Sequence, residues 1–155
     1  GIDSQQLYQD TIYHMETSVP QQLQSFSDIM EGFLDEEEKI ILREVGITGK
    51  GNFKTTPELY CLRNSSIFGA SSLLYGDRMA KFAEQEQCDM LILPSSICEV
   101  LLLPDDGSRN YGELQDMVKT INQTEVSREE LLSNSIYKYD RMAKKISIAY
   151  QGEEL

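Results

Sequence analysis

The stretch "LILPSSICEVLLLPDDG", residues 91–107, places two apolar runs on either side of a Pro-Ser-Ser corner. Proline cannot donate to a sheet ladder and serine is frequent in turns, so the pattern predicts a β-hairpin that bends at the corner. Side chains alternate between the two faces of a strand. We therefore expect Cys98 to point into the core with Val100 and Leu102, on the face opposite Glu99.

The same corner is the place where a reactive or ligand-binding site would lie. An alternative interpretation uses Ser95, Ser96, Cys98 and Glu99 as a small-molecule-binding or hydrolase-like site. Nucleophilic catalysis by serine or cysteine needs a base, and the chain contains a single histidine, His14. A dyad of His14 with Cys98 stays open at this stage, because it depends on how the chain folds.

Two glycine-containing stretches resemble ligand loops without meeting their requirements. A phosphate-binding loop needs four residues between its glycines, and "VGITGKG" at residues 45–51 does not have that spacing. A calcium loop needs glycine at position six and glutamate at position twelve, which "DDGSRNYGE" at residues 105–113 does not supply. We predict no cofactor and no metal site. Weak divalent-cation binding by Asp105, Asp106 and Glu113 is left as a hypothesis.

Composition narrows the class of protein. A chain of 155 residues is the usual size of one domain. The formal net charge of -12 repels the phosphate backbone and anionic lipid, so we expect neither nucleic-acid nor membrane binding. The three cysteines, Cys61, Cys88 and Cys98, are an odd number without CxxC spacing. They predict reduced, buried thiols in a cytoplasmic protein.

The first third of the chain reads as helical. Asp3 or Ser4 is a suitable N-cap for a first helix, and Pro20 stands where a second helix would begin. We assign residues 1–45 to a helical segment. Residues 46–57, which are rich in glycine, are assigned to a linker.

Residues 58–150 are predicted to form an α+β core domain. The order of patterns is ββαββα followed by a closing β-hairpin, which describes a mostly antiparallel sheet with helices packed on one face. The first strand pair is expected at "ELYCLRN", residues 58–64, and "IFGASSLLYG", residues 67–76. The closing hairpin is expected at "SIYKY" and "KISIAY", which flank "DRMAK".

Several stretches together resemble the C-terminal half of domain-of-unknown-function family 5688, from Gram-positive anaerobic bacteria. The stretches are "LYCLRN", "IFGASSLLYG", "LILPSSICEVLLLPDDG" and "ELQDMVKTINQTEVSREELLSNSIYKYDR". The likeness is strong from Leu59 to Arg141. Where the family has histidine in "LPSSIHEV", this chain has Cys98. Longer members carry a further N-terminal region, which implies that this chain is a piece of a larger protein. The family has no activity to carry over.

These observations favour an uncharacterised, non-enzymatic protein-interaction or regulatory module of a larger bacterial protein. The expected partner is another protein or the remainder of the same chain. An acidic surface favours a basic partner, which would dock on a sheet edge or in a helix groove. The sequence leaves the oligomeric state open.

Overall fold

The fold is that of a computed structural model, in which residues 2–33, 59–94 and 96–152 are described. Five helical segments lie in these ranges: α1 (Ser4–Ser18), α2 (Phe26–Phe33), a 3₁₀ helix (Gly69–Leu74), α3 (Arg78–Glu86) and α4 (Tyr111–Glu125). The strands are β1 (Gln22–Ser25), β2 (Tyr60–Arg63), β3 (Asp89–Leu93), β4 (Val100–Asp105), β5 (Ile136–Asp140) and β6 (Lys145–Tyr150).

The described strands form one six-stranded sheet in the order β1-β2-β4-β3-β5-β6. Every neighbouring pair in it is antiparallel. β3 and β4 are the hairpin predicted from the Pro-Ser-Ser corner, with Leu91 opposite Leu103. β5 and β6 are the predicted closing hairpin. The predicted α+β class with a mostly antiparallel sheet is therefore confirmed.

Helices cover both faces of the sheet, so the expectation that they pack on one face is wrong. Met90 and Ile92 of β3 pack in one core with Phe82 of α3. Leu91 on the other face packs in a second core with Val118 of α4. Continuous apolar runs, in place of alternating ones, are typical of strands buried on both faces. The apolar runs of β3 and β4 were therefore evidence, in the sequence itself, that both faces of these strands are buried.

The segment 67–76, which was expected to be a strand, instead contains the 3₁₀ helix. β2 already pairs with β1 on one side and with β4 on the other. No edge of β2 is left for a hairpin partner, and the chain turns off the sheet instead. The turn is held by Asn64, whose side-chain oxygen accepts hydrogen bonds from the backbone N–H and the hydroxyl of Ser66 at 2.8 and 2.7 Å.

The N-terminal region follows the prediction in part. Asp3 caps α1, because its Oδ1 accepts the backbone N–H of Gln6 at 2.8 Å. The second helix does not begin near Pro20 as expected. Residues 22–25 form β1, which pairs with β2, and α2 follows at Phe26. The predicted linker at residues 46–57 lies outside the described residues, so the division of the chain at that point stays a prediction.

Candidate functional site

The corner loop, residues 94–99, joins β3 to β4 and is held from two sides by backbone hydrogen bonds. The N–H of Ala70, in the 3₁₀ helix, donates to the carbonyl of Ile97 at 3.0 Å. The N–H of Ile97 donates to the carbonyl of Glu130 at 2.8 Å, and Ser96 forms an isolated bridge with Leu131. The corner is therefore a fixed part of the architecture. Ser95 lies outside the described residues.

Cys98 is exposed, and the prediction that its side chain points into the core is wrong. β4 begins at Val100, so strand alternation does not extend back to Cys98. Instead the Oγ of Ser96 accepts the backbone N–H of Cys98 at 3.2 Å. This local bond forms a turn that competes with the sheet ladder, and it directs the thiol toward solvent.

A different cysteine, Cys61 of β2, is the one that meets Glu99. Its Sγ donates to the Glu99 carboxylate at 3.1 Å, and the Cys61 side chain is buried. Burial, followed by the hydrogen bond and the negative charge of Glu99, raises the pKa of Cys61 to about 12. Such a thiol is neutral and inert at physiological pH. Sequence spacing could not reveal this contact, because the two residues meet only when β2 pairs with β4.

A cleft of about 660 Å³, called here the corner cleft, opens beside the loop. Its walls come from β1, from the end of β2 with the residues that follow it, from the corner loop and from Glu130. The lining residues are Gln22, Arg63, Asn64, Ser65, Ser66, Ile67, Ile97, Cys98, Glu99 and Glu130. The structure thus brings Cys98, Glu99 and the guanidinium of Arg63 to one concavity. Sequence reasoning did not identify Arg63.

His14, the one histidine that a dyad with Cys98 would need, is not part of this cleft. His14 lies on α1, where its Nδ1 is 3.4 Å from the Oγ of Ser18. It is not among the lining residues, so the structure gives no support to a dyad with Cys98. The corner cleft has the donors and acceptors for binding a small polar molecule. Its lining, within the part of the chain that the structure describes, does not include His14.

The exposure of the thiols predicts their order of alkylation. Iodoacetamide at pH 8 should modify Cys98 rapidly and Cys61 roughly a hundredfold more slowly, because burial and the Glu99 bond keep Cys61 protonated. Mass spectrometry of timed digests measures both rates. Cys98→Ser should remove the modification at position 98 and leave the slow rate at Cys61 unchanged. Rapid modification of Cys61 in the native protein would contradict the contact with Glu99.

A second group of charged residues, called here the polar cluster, lies at the far end of the β3–β4 hairpin. It comprises Asp89, Asp105, Tyr111 and Lys138. The Lys138 Nζ lies 3.0 Å from a carboxylate oxygen of Asp89 and 3.0 Å from one of Asp105. The hydroxyl of Tyr111 donates to Asp105 at 2.6 Å. The Asp105 side chain has no exposed surface.

Ion pairs and hydrogen bonds within the polar cluster shift the pKa values of its side chains. Burial raises the pKa of Asp105, but hydrogen bonds from Tyr111, Lys138 and the backbone N–H of Gly107 outweigh burial and hold it below its ordinary value. The carboxylates of Asp105 and then Asp89 raise the pKa of Lys138. The Asp105 carboxylate is therefore ion-paired with Lys138 and shielded from solvent.

The hypothesis of divalent binding gains no support from this arrangement. Asp106 accepts the backbone N–H and the hydroxyl of Ser108, and Glu113 accepts the side-chain amide of Asn110. The described residues contain no group of three or more His, Cys, Asp or Glu side chains placed to hold a metal ion. Among the described helices, none has the length and apolar character that crossing a bilayer requires.

The described residues define an α+β protein, with a six-stranded antiparallel sheet between helices and a thiol-bearing cleft at one hairpin. The chain belongs to the family of unknown function DUF5688, whose family model matches residues 1–141. The family resemblance noted from the sequence is therefore confirmed. A search of curated proteins and a search of solved structures each found no match.

Proposed function

We propose that this chain is a protein-interaction module of a larger bacterial protein, which binds a basic protein partner through α1. One observation carries the proposal: α1 has fifteen residues and none of them is buried. Three of its large apolar side chains face solvent instead. Leu7, Tyr8 and Tyr13 are 60%, 63% and 70% exposed.

Among the described residues, the hydrogen bonds that attach α1 to the domain lie at its C-terminal end. The Glu16 carboxylate accepts the backbone N–H of Gly76 at 3.2 Å, and the carbonyl of Val19 accepts the hydroxyl of Tyr75. An isolated helix of this length is marginal in water, and most helices gain their stability by burying an apolar face. A partner that covers Leu7, Tyr8 and Tyr13 supplies the missing burial. Their spacing places these side chains on different sides of the helix, so the partner must enclose α1.

The charge of this region selects the chemistry of the partner. Residues 2–33 contain five acidic side chains and no lysine or arginine: Asp3, Asp10, Glu16, Asp28 and Glu31. A partner surface with basic residues is complementary to this charge. The attraction raises the association rate, and it does so most at low salt. The three thiols are free, which agrees with a reducing compartment, and we place the module in the cytoplasm.

The test removes the aromatic anchors of α1. The double variant Tyr8→Ala/Tyr13→Ala should weaken the affinity for the partner protein at least about tenfold, because buried aromatic residues dominate the affinity of protein interfaces. Binding is measured by quantitative capture on the whole chain, then with the purified binder by calorimetry at low and high salt. The matched control is Gln5→Ala/Gln9→Ala, which changes two exposed polar residues of the same helix.

Support requires a binder that the control variant retains, that the aromatic variant loses and that salt weakens. A binder retained equally by both variants would refute the role of α1. Because all four substituted side chains are exposed, the thermal unfolding midpoint should not separate the two variants.

A second candidate function is small-molecule binding at the corner cleft. Two observations favour it: the exposed thiol of Cys98 and the concavity of about 660 Å³ beside it. The guanidinium of Arg63 favours a carboxylate or phosphate group on the ligand. Protection of Cys98 in the alkylation assay by a small carboxylate or nucleotide, and loss of that protection in Arg63→Gln, would support it. If none of a set of small carboxylates and nucleotides protects Cys98, this second candidate function is wrong.

A further inference from the structure

The corner cleft contains a thiol and a guanidinium whose residues are close neighbours in space. A Cβ placed on Gly69 would stand 1.9 Å from the carbonyl oxygen of Cys98 and 3.2 Å from the Cβ of Arg63. Cys98 and Arg63 therefore both pack against Gly69, and both line the cleft. Because Cys98 is exposed, a dissolved reagent can reach its sulfur.

The guanidinium of Arg63 is available for a ligand. Within the ranges that the structure describes, no hydrogen bond or ion pair joins it to another side chain. Arg63 stands two positions after Cys61 on β2, so both side chains lie on one face of the strand, where Cys61 meets Glu99. A guanidinium presents five N–H donors in a planar fork, and a carboxylate is the anion that matches this geometry.

Two carboxylates, those of Glu99 and Glu130, line the same cleft. The backbone of Glu130 is tied to the corner loop, since its carbonyl accepts the N–H of Ile97 at 2.8 Å. Oε2 of Glu130 accepts the hydroxyl of Ser127 at 2.9 Å, and Oε2 of Glu99 accepts the thiol of Cys61 at 3.1 Å. A carboxylate accepts hydrogen bonds at both of its oxygens, so each can take a further donor, such as an ammonium group.

We infer that Cys98 is a modification site, which forms a mixed disulfide with a small disulfide that carries both an ammonium and a carboxylate group. The inference rests on the second candidate function, ligand binding at the corner cleft. One guanidinium and two carboxylates are complementary to such a zwitterion. A purely anionic disulfide fits less well, because the two glutamates repel it. Reversible modification of an accessible cysteine is one way in which a protein responds to oxidation.

The reaction is a thiol–disulfide exchange, and it needs no oxidant other than the disulfide itself. The Cys98 thiol loses its proton to water, and the thiolate attacks one sulfur of the ligand. The bond between the two ligand sulfurs breaks as the new sulfur–sulfur bond forms. One half stays on Cys98, and the other half leaves as a thiolate that takes up a proton. The sulfur of Cys98 is thereby oxidised, and the leaving half is reduced.

The other cysteines are not placed to release the ligand by a second exchange. Cys61 is buried and donates to Glu99, and its pKa is raised to about 12. Since the thiolate is the attacking species, Cys61 does not displace the ligand from Cys98. Cys88 is not among the residues that line the cleft. The mixed disulfide therefore persists until an external thiol attacks it.

Mass spectrometry of the whole chain, reacted with a set of small disulfides, tests the inference. Cystine and oxidised glutathione are the zwitterionic probes, bis(2-hydroxyethyl) disulfide is the neutral one, and dithiodiglycolate is the anionic one. Each rate is divided by the rate of the same probe with a short cysteine peptide, which removes intrinsic reactivity. At least one zwitterionic probe should then modify Cys98 at least about fivefold faster than the neutral probe, because two ion pairs hold it in the cleft.

Two pairs of variants identify the groups responsible. Arg63→Gln should bring the ratio of zwitterionic to neutral rates within about twofold of one, and the rate of the neutral probe should not change. Its matched control is Arg78→Gln, at an exposed residue outside the cleft lining. Glu130→Gln should reduce the preference for the zwitterionic probe over the anionic one. Glu129→Gln, at the exposed neighbouring residue, should not.

The comparison of probes on the wild-type protein needs no variant, so it decides the inference even where a substitution disturbs folding. A zwitterionic probe that reacts no faster than the neutral one would overturn the inference, as would a disulfide between Cys98 and Cys61 in place of the mixed disulfide. If small carboxylates still protect Cys98 from iodoacetamide in that case, the cleft binds ligands and only the modification is wrong. If they do not, ligand binding at the cleft is wrong as well.

Discussion

Asp105→Ala should lower the free energy of unfolding by about 1–3 kcal/mol, because it leaves the hydroxyl of Tyr111 without its acceptor and removes one of the two carboxylates bound to Lys138. The Asp105 carboxylate is fully covered and lies 3.0 Å from Lys138. It also accepts the hydroxyl of Tyr111 at 2.6 Å and the backbone N–H of Gly107 at 3.1 Å. The substitution leaves Lys138, whose side chain is 29% exposed, with Asp89 as its remaining carboxylate. Urea unfolding followed by circular dichroism measures the difference.

The neighbouring residue supplies a matched control. Asp106 is exposed and makes its contacts within a local turn, with Ser108. Asp106→Ala should therefore destabilise the protein far less than Asp105→Ala. Equal effects of the two substitutions would show that the ion pair with Lys138 contributes nothing beyond local turn formation.

The effect of Asp105→Ala should depend on pH in a defined direction. The pKa of Asp105 is lowered in the folded protein, so its contribution is fully present above the unfolded-state pKa of about 3.9. It is lost as the pH falls through the lower folded-state pKa. The difference between wild type and variant should therefore narrow below about pH 4. A difference that widens in acid would contradict the lowered pKa.

Gly69→Ala should destabilise the protein by about 1–3 kcal/mol or more, the usual cost of overpacking. A Cβ at Gly69 would lie 1.9 Å from the carbonyl oxygen of Cys98 and 3.2 Å from the Cβ of Arg63. The obstacle is backbone, which no side-chain rotation removes. The 3₁₀ helix must therefore move away from the corner loop, which weakens the hydrogen bond between Ala70 and Ile97.

Two measurements separate this effect from a general effect of alanine. Gly32→Ala, in α2, meets no atom of the described residues within 4 Å, and it should leave stability unchanged or raise it slightly, by at most about 1 kcal/mol. The alkylation rate of Cys98 should also change in Gly69→Ala and stay constant in Gly32→Ala. A Gly69→Ala protein as stable as wild type would mean that the loop and the 3₁₀ helix do not pack closely.

Local sequence signals predicted the elements whose stability is local. The Pro-Ser-Ser corner and its apolar runs identified the β3–β4 hairpin, and the last alternating segments identified the β5–β6 hairpin. Asp3 identified the start of α1. Caps, turn residues and alternation act over a few residues, so a linear sequence displays them directly.

Predictions failed where strand pairing or a side-chain hydrogen bond decides the local conformation. Residues 67–76 have strand composition, yet both edges of β2 are occupied by β1 and β4, so a 3₁₀ helix forms instead. Cys98 was expected to face inward, but β4 begins two residues later and a serine hydroxyl turns the loop. In each case long-range pairing or a local side-chain bond overrides the intrinsic preference.

The sequence alone determined the α+β class, the two hairpins and an acidic chain without a recognisable catalytic motif. Only the tertiary structure decided which groups meet: Cys61 with Glu99 across 38 positions, and Asp105 with Lys138 across 33. It also decided that α1 and β6 carry apolar side chains in solvent. The physical reason is that burial and charge pairing depend on distance in space, which sequence separation does not encode once strands from different parts of the chain lie side by side.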